Sequence, residues 1–185
     1  MTTAWDDVVE AIDDQHAADR GAEVMYVPDL VTSHAVAIAP PRGRVVGIHP
    51  TAVIGERPEM RDWIADATLP WHQPVIHPTA RINAYVTVDG GCESPTLIGD
   101  HALLMAHVHV GHDAVIGPRC ELAPHSVVGG YAVLGSDVKL GIGAVVKPKI
   151  RIGHGSRIGA GAVVTHHVPP GEVWAGVPAR PLRRT

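Results

Sequence analysis

Histidines number thirteen in this 185-residue chain, and the segment 103–113, LLMAHVHVGHD, gathers His107, His109 and His112 directly before the carboxylate of Asp113. An imidazole titrates near operating pH, so it can take a proton from an attacking nucleophile. An adjacent carboxylate can orient the ring and stabilise the imidazolium. The same rings are good ligands for zinc or iron, and such a metal would make hydroxide near neutral pH. Group transfer with a histidine base and metal-assisted hydration are therefore the two chemistries open to this segment.

The elements that must position these residues are set by a period of six. From Ile98 through Leu104, Val110, Ile116, Leu122, Val128, Leu134, Leu140, Val146, Ile152 and Ile158 to Val164, every sixth residue is Ile, Leu or Val. Chance would give such a run on the order of once in ten million. Four residues after each lies a second column of mostly small residues, such as Ala102, Ala114, Cys120 and Ser126. One residue after each, glycine is frequent, and we expect it at the bends, where an unusual φ costs glycine little. Each hexad then reads as a short extended segment with two inward positions. Such a repeat is too short for helices and fits a parallel β-helix whose coils stack at about 4.8 Å. Three hexads make one coil, so His107 and His125, eighteen residues apart, should lie one above the other.

The repeat organises the rest of the chain. Ile76, Ile82 and Val88 form an earlier ladder, and a loop at about 90–97 shifts the phase by four. Insertions of this kind often mark the binding face of a repeat protein. The stretch IHPTA occurs at 48–52 and again at 76–80, with an insertion at about 56–74 that includes a possible helix at 59–67. The expected organisation is an N-terminal α/β cap at 1–45, a β-helix of about six coils at 46–170 and a tail at 171–185. In the cap, Trp5, Val8, Val9, Ile12 and His16 recur at helical spacing behind Thr3, an N-cap residue, and strands are expected at 24–27 and 36–38.

Composition closes off other classes. A net charge of −4 argues against nucleic-acid and polybasic membrane binding. No apolar run of about 18 residues is present, so no membrane span is expected. Two cysteines cannot make a disulfide framework, and the acidic first twenty residues do not read as a secretory signal. A cytoplasmic protein is expected.

The hexads resemble the hexapeptide-repeat family, whose fold is a left-handed β-helix that usually trimerises. From about Ile76 to Gly117, with Thr87-Val88, Gly90 and Gly91, the chain is similar to the UDP-N-acetylglucosamine acyltransferases of lipid A synthesis. From His112-Asp113-Ala114-Val115-Ile116-Gly117 to the ending VPPG at 168–171 and AGVPAR at 175–180, it resembles the sialic-acid and bacillosamine-type sugar acetyltransferases. The resemblance implies acyl transfer from a CoA or acyl-carrier-protein thioester to an amino or hydroxyl group of a sugar or nucleotide sugar. It makes His112 the general base and Asp113 its partner, and gives the oxyanion to the backbone N–H of Gly130. His109 aligns with a family histidine. His107, His125 and Tyr131 are expected near substrate, although Tyr131 stands where the lipid A enzymes commonly have a histidine. The pantetheine arm of acetyl-CoA is expected past Ile142, Gly143, Ala160 and Gly161, with Arg180 on its phosphates. A homotrimer with sites between subunits is expected, with no resident metal.

Two other readings stay open. Hexapeptide carbonic anhydrases use three histidines for a metal, one from a neighbouring subunit, and His107, His112 and His125 resemble that set. A purely structural β-helix is the other. The family's lipid A enzymes carry a helical domain after the β-helix, and the sialic-acid type carries a fuller N-terminal domain, so the chain matches each in part.

Overall fold

The computed structural model describes residues 47–56 and 71–182. The expected cap at 1–45 and the helix at 59–67 lie outside the described residues.

Two-residue strands recur every six residues and stack into three parallel sheets, the β-helix expected from the repeat, left-handed as the family resemblance implies. The first sheet has six strands: Val53–Glu56, Thr87–Asp89, His109–Val110, Val127–Val128, Val145–Val146 and Val163–Val164. The second has five, Val75–Ile76, Leu97–Ile98, Val115–Ile116, Val133–Leu134 and Arg151–Ile152. The third runs Arg81–Ile82, Leu103–Leu104, Glu121–Leu122, Lys139–Leu140, Arg157–Ile158 and Val173–Ala175, then closes with antiparallel Arg180–Pro181. Stacking thus continues into the segment expected to be a tail. From the second sheet's Leu97 onward each hexad pairs with the one eighteen residues away, as at Val133↔Val115 and Val127↔His109.

Both inward columns are buried as the period requires. All twelve aliphatics from Ile98 to Val164 are at most 3% exposed, and the small column from Ala102 to Val168 is buried throughout. A narrow prism has room for one branched and one small side chain per hexad.

The bends differ from expectation. The frequent glycines, such as Gly99, Gly117 and Gly135, do not have positive φ. They are required because the next coil presses on them: a Cβ on Gly117 would come within 2.7 Å of the Gly135 backbone. The left-handed conformation falls two residues later, on Tyr85, His101, His107, Asp113, Arg119, His125, Tyr131, Asp137 and Lys149, all with φ between 52° and 64°. Side chains in this column project from the corners of the prism. Residues that share a corner therefore stack from coil to coil.

Candidate active site

Asp113 and Tyr131 occupy one such corner, between the first and second sheets, at φ values of 57° and 60°. His112 precedes Asp113 and Gly130 precedes Tyr131. The bond from Tyr131 N–H to the His112 carbonyl, 2.9 Å, fixes the two coils in register. Gly130 therefore lies directly over the His112 ring, where a Cβ would stand 2.5 Å from Nε2. The Gly130 N–H takes no part in the coil-to-coil ladder.

Below this corner, the four-residue phase shift becomes a tight loop over Asp113. The N–H groups of Cys92 and Glu93 donate to the carboxylate at 2.8 Å each, and that of Ser94 at 2.7 Å. His112 Nδ1 donates to Asp113 Oδ2 at 2.8 Å. The Asp113 side chain is 0% exposed. Burial alone would raise its pKa. The bonds from His112 and the three loop N–H groups outweigh this and hold it at about 2. Asp113 is thus a carboxylate at any working pH and can only accept. It follows that Nδ1 of His112 carries a proton, so that in the neutral ring the lone pair is on Nε2; the side chain is 18% exposed.

The loop is held in turn by the last residues of the insertion. His72 and Gly91 exchange two backbone bonds of 2.8 Å. A Cβ on Gly90 would strike the Trp71 ring at 2.7 Å, so glycine is what lets the indole lie on the loop. Tyr131 stands edge-on to His112, centroids 5.0 Å apart, with Lys149 Nζ 5.5 Å over its ring. Burial, then the charges of Asp113 and Glu93, push the Tyr131 hydroxyl up, so it remains a phenol.

The other expected residues divide between neighbouring places. His109 lies on the first sheet's outer face, its Nδ1 2.8 Å from the Thr87 hydroxyl and its Nε2 3.8 Å from Asp89. His107 and His125 stack at a second corner, between the third and first sheets, with centroids 4.7 Å apart. Gly143 and Gly161 follow them up that corner, beside Ile142 and Ala160. Arg180 follows Ala179, whose N–H donates to the Val163 carbonyl at 2.8 Å, so it sits one strand from Gly161. Within one chain the expected coenzyme residues therefore share a corner with His107 and His125, not with His112.

This division bears on metal binding. His112 lies at a different corner from His107 and His125. Among the described residues, the group whose ligand atoms all lie within 4.8 Å is Cys92, His112 and Asp113. Those atoms are already engaged. Burial and then the Asp113 charge push the Cys92 thiol up to about 12, so it stands here as a thiol. Asp113 accepts from the three loop N–H groups, the Ser94 hydroxyl and His112 Nδ1. This donor set is built for hydrogen bonds and does not fit a metal.

Sequence reasoning did not find Cys92, Glu93 and Ser94, because they act through backbone N–H groups that no residue type advertises. It did locate the loop, through the broken phase. Tyr85 and Lys149 were missed because the corner column has no glycine signature.

Comparison with known proteins agrees with the fold. Residues 95–130 and 131–166 match the family model of the bacterial transferase hexapeptide (six repeats). Over 84 residues the chain is 37% identical to acyl-[acyl-carrier-protein]–UDP-N-acetylglucosamine O-acyltransferase of Helicobacter pylori, covering 44% of this chain and 30% of that enzyme. The chain thus spans under a third of the length of the curated relatives it matches at this level. Among solved structures, PerB of Caulobacter crescentus, in complex with CoA and GDP-perosamine, is 29% identical with a TM-score of 0.52, covering 74% of this chain and 56% of that one. UDP-N-acetylglucosamine acyltransferase of Francisella novicida is 26% identical with a TM-score of 0.63, covering 71% of this chain and 49% of that one. No described helix is long and apolar enough to cross a membrane.

Proposed function

Because residues 95–166 match the family model of the bacterial transferase hexapeptide, we propose that the chain is an acyltransferase with His112 as its general base. It moves an acetyl or longer acyl group from a CoA or acyl-carrier-protein thioester to an amino or hydroxyl group of a sugar or nucleotide sugar. The carrying observation is the His112–Asp113 pair. A buried carboxylate held by three loop N–H groups fixes the proton on Nδ1 and leaves Nε2 to receive one.

The steps follow from that arrangement. Nε2 takes the proton from the acceptor nitrogen or oxygen as the new bond to the thioester carbonyl carbon forms. Asp113 stabilises the resulting imidazolium. The carbonyl oxygen becomes an oxyanion, for which the Gly130 N–H, on the coil over the ring, is the donor. Collapse expels the thiolate, which takes the proton back from Nε2, so His112 is neutral again. His109 and Tyr131 border the acceptor. The coenzyme arm runs past Ile142, Gly143, Ala160 and Gly161 on a neighbouring copy, with Arg180 on its phosphates. This requires the homotrimer expected of the family, since one chain holds base and arm at separate corners.

The test is His112→Ala. Acyl transfer from acetyl-CoA to amino sugars and nucleotide sugars should fall by about 10²–10⁴. Stabilisation by acetyl-CoA should remain, because the ligand still binds the native state. Transfer at the wild-type rate would remove His112 from the mechanism.

A further inference from the structure

Tyr85, His107 and His125 form one continuous stack at the corner between the third and first sheets. Tyr85 and His107 are 5.0 Å apart at 14°, and His107 and His125 are 4.7 Å apart at 4°. All three adopt the left-handed conformation, at φ values of 59°, 61° and 60°. The spacing of the rings is the spacing of the coils. Gly143 is the next residue of the column, with φ of 65°, and a Cβ there would meet nothing within 4 Å. The backbone ladder is unbroken at this point: Gly143 N–H donates to the Pro124 carbonyl at 3.0 Å. Register is kept, and only the ring is missing. His125 therefore ends the stack, exposed, with its upper face open beneath a glycine corner. Ile142, 60% exposed, stands beside it.

We propose that this open rung is a stacking site for a planar nucleobase, inserted as the fourth ring of the column. A base on an aromatic side chain gains about 1–3 kcal/mol whatever its identity, because every base has a π face. Glycine gives the base the closest approach to the backbone. The apolar edge of Ile142 covers a rim that water would otherwise wet. A sugar ring or a pantetheine chain has no face to offer His125. The base belongs either to the adenine end of the coenzyme or to a nucleotide sugar. That choice alone rests on the transferase reading.

The experiment titrates AMP, UMP and CoA into the full chain, with the His125 Cε1 proton followed by NMR and affinity by calorimetry. Gly143→His completes the stack with the protein's own ring, at a column position that already accepts His at the same φ. His125→Ala removes the floor. A base-bearing ligand is expected to move the His125 resonance upfield. Its affinity should weaken roughly 5–150-fold in both variants, the factor equivalent to one stacked base. A response to AMP and CoA alone assigns the coenzyme; a response to UMP alone assigns the nucleotide sugar. If none of the three moves His125, or if His125→Ala binds them like wild type, the proposal is overturned, whether or not Gly143→His folds. Acetyl transfer by the wild-type chain, assayed beside the titrations, reports on the transferase reading separately.

Discussion

Asp113 makes the arrangement at His112 sensitive to a single atom. Asn at this position keeps the shape, but its amide nitrogen cannot accept from the loop, so a buried N–H of Cys92, Glu93 or Ser94 loses its partner. The preference for a proton on Nδ1 weakens too. Asp113→Asn should lower kcat by 10²-fold or more, on the order seen for positioned acid–base groups, and should also lower stability. The pH dependence has a definite sign. A carboxylate moved from 3.8 to about 2 contributes about 2 kcal/mol of stability, fully present above pH 4 and lost as pH falls through about 2. Urea unfolding should therefore show wild type more stable than Asp113→Asn at pH 6, with the gap closing toward pH 2. A gap independent of pH would place the loss in packing instead. Gly130→Ala tests the other side of the ring: its Cβ, 2.5 Å from Nε2, must displace the imidazole. Transfer should fall while the thermal midpoint changes little, measured by steady-state assay beside calorimetry.

At the scale of the element, the two kinds of glycine make opposite predictions. Gly117 is pressed by the Gly135 backbone at 2.7 Å, so Gly117→Ala forces two coils apart and should cost about 1–3 kcal/mol, typical of overpacking. Gly143→Ala meets open space at a φ that nine other residues tolerate, and should cost less. Thermal melts of the two variants rank them directly; equal losses would show that the corner φ, not coil contact, governs the glycine. The period of six was plain in the sequence because burial enforces it: one branched and one small residue per hexad leave no room for error. The corner column was not plain, because its φ is carried by His, Asp, Arg, Tyr and Lys as well as by Gly143 and Gly161. The loop at 90–97 was visible as a slip of phase. Its role was not, because the grip on Asp113 is made by backbone that any residue supplies. His112 was readable only with Asp113 and the surrounding coil, and its tautomer needed the 2.8 Å bond to Asp113.

The three faces of the prism differ in a way that bears on the proposed trimer. Outward positions of the third sheet include Arg81, Glu121, Lys139 and Arg157, with Lys139 and Glu121 paired at 2.7 Å. This face is suited to water. The second sheet instead presents Val75, Leu97, Val115 and Val133 in one stripe, and the first presents Val127, Val145 and Val163. The corner between these two apolar faces is the one that carries His112 and Gly130. A copy packed on either stripe would border the base and bring its own Gly143 corner to a site that one chain leaves divided. Val115→Glu with Val133→Glu places two carboxylates on the second stripe, and burying them unpaired is costly. Sedimentation should show the trimer reduced to monomers with the β signal of circular dichroism retained, and acyl transfer lost with it. Glu121→Lys on the charged face breaks an exposed ion pair worth little and should leave both sedimentation and transfer as they are. If the double variant still sediments like wild type, the second sheet is not the association face. If it separates yet transfers at full rate, a single chain holds the whole site, and the division between the two corners has no part in the reaction.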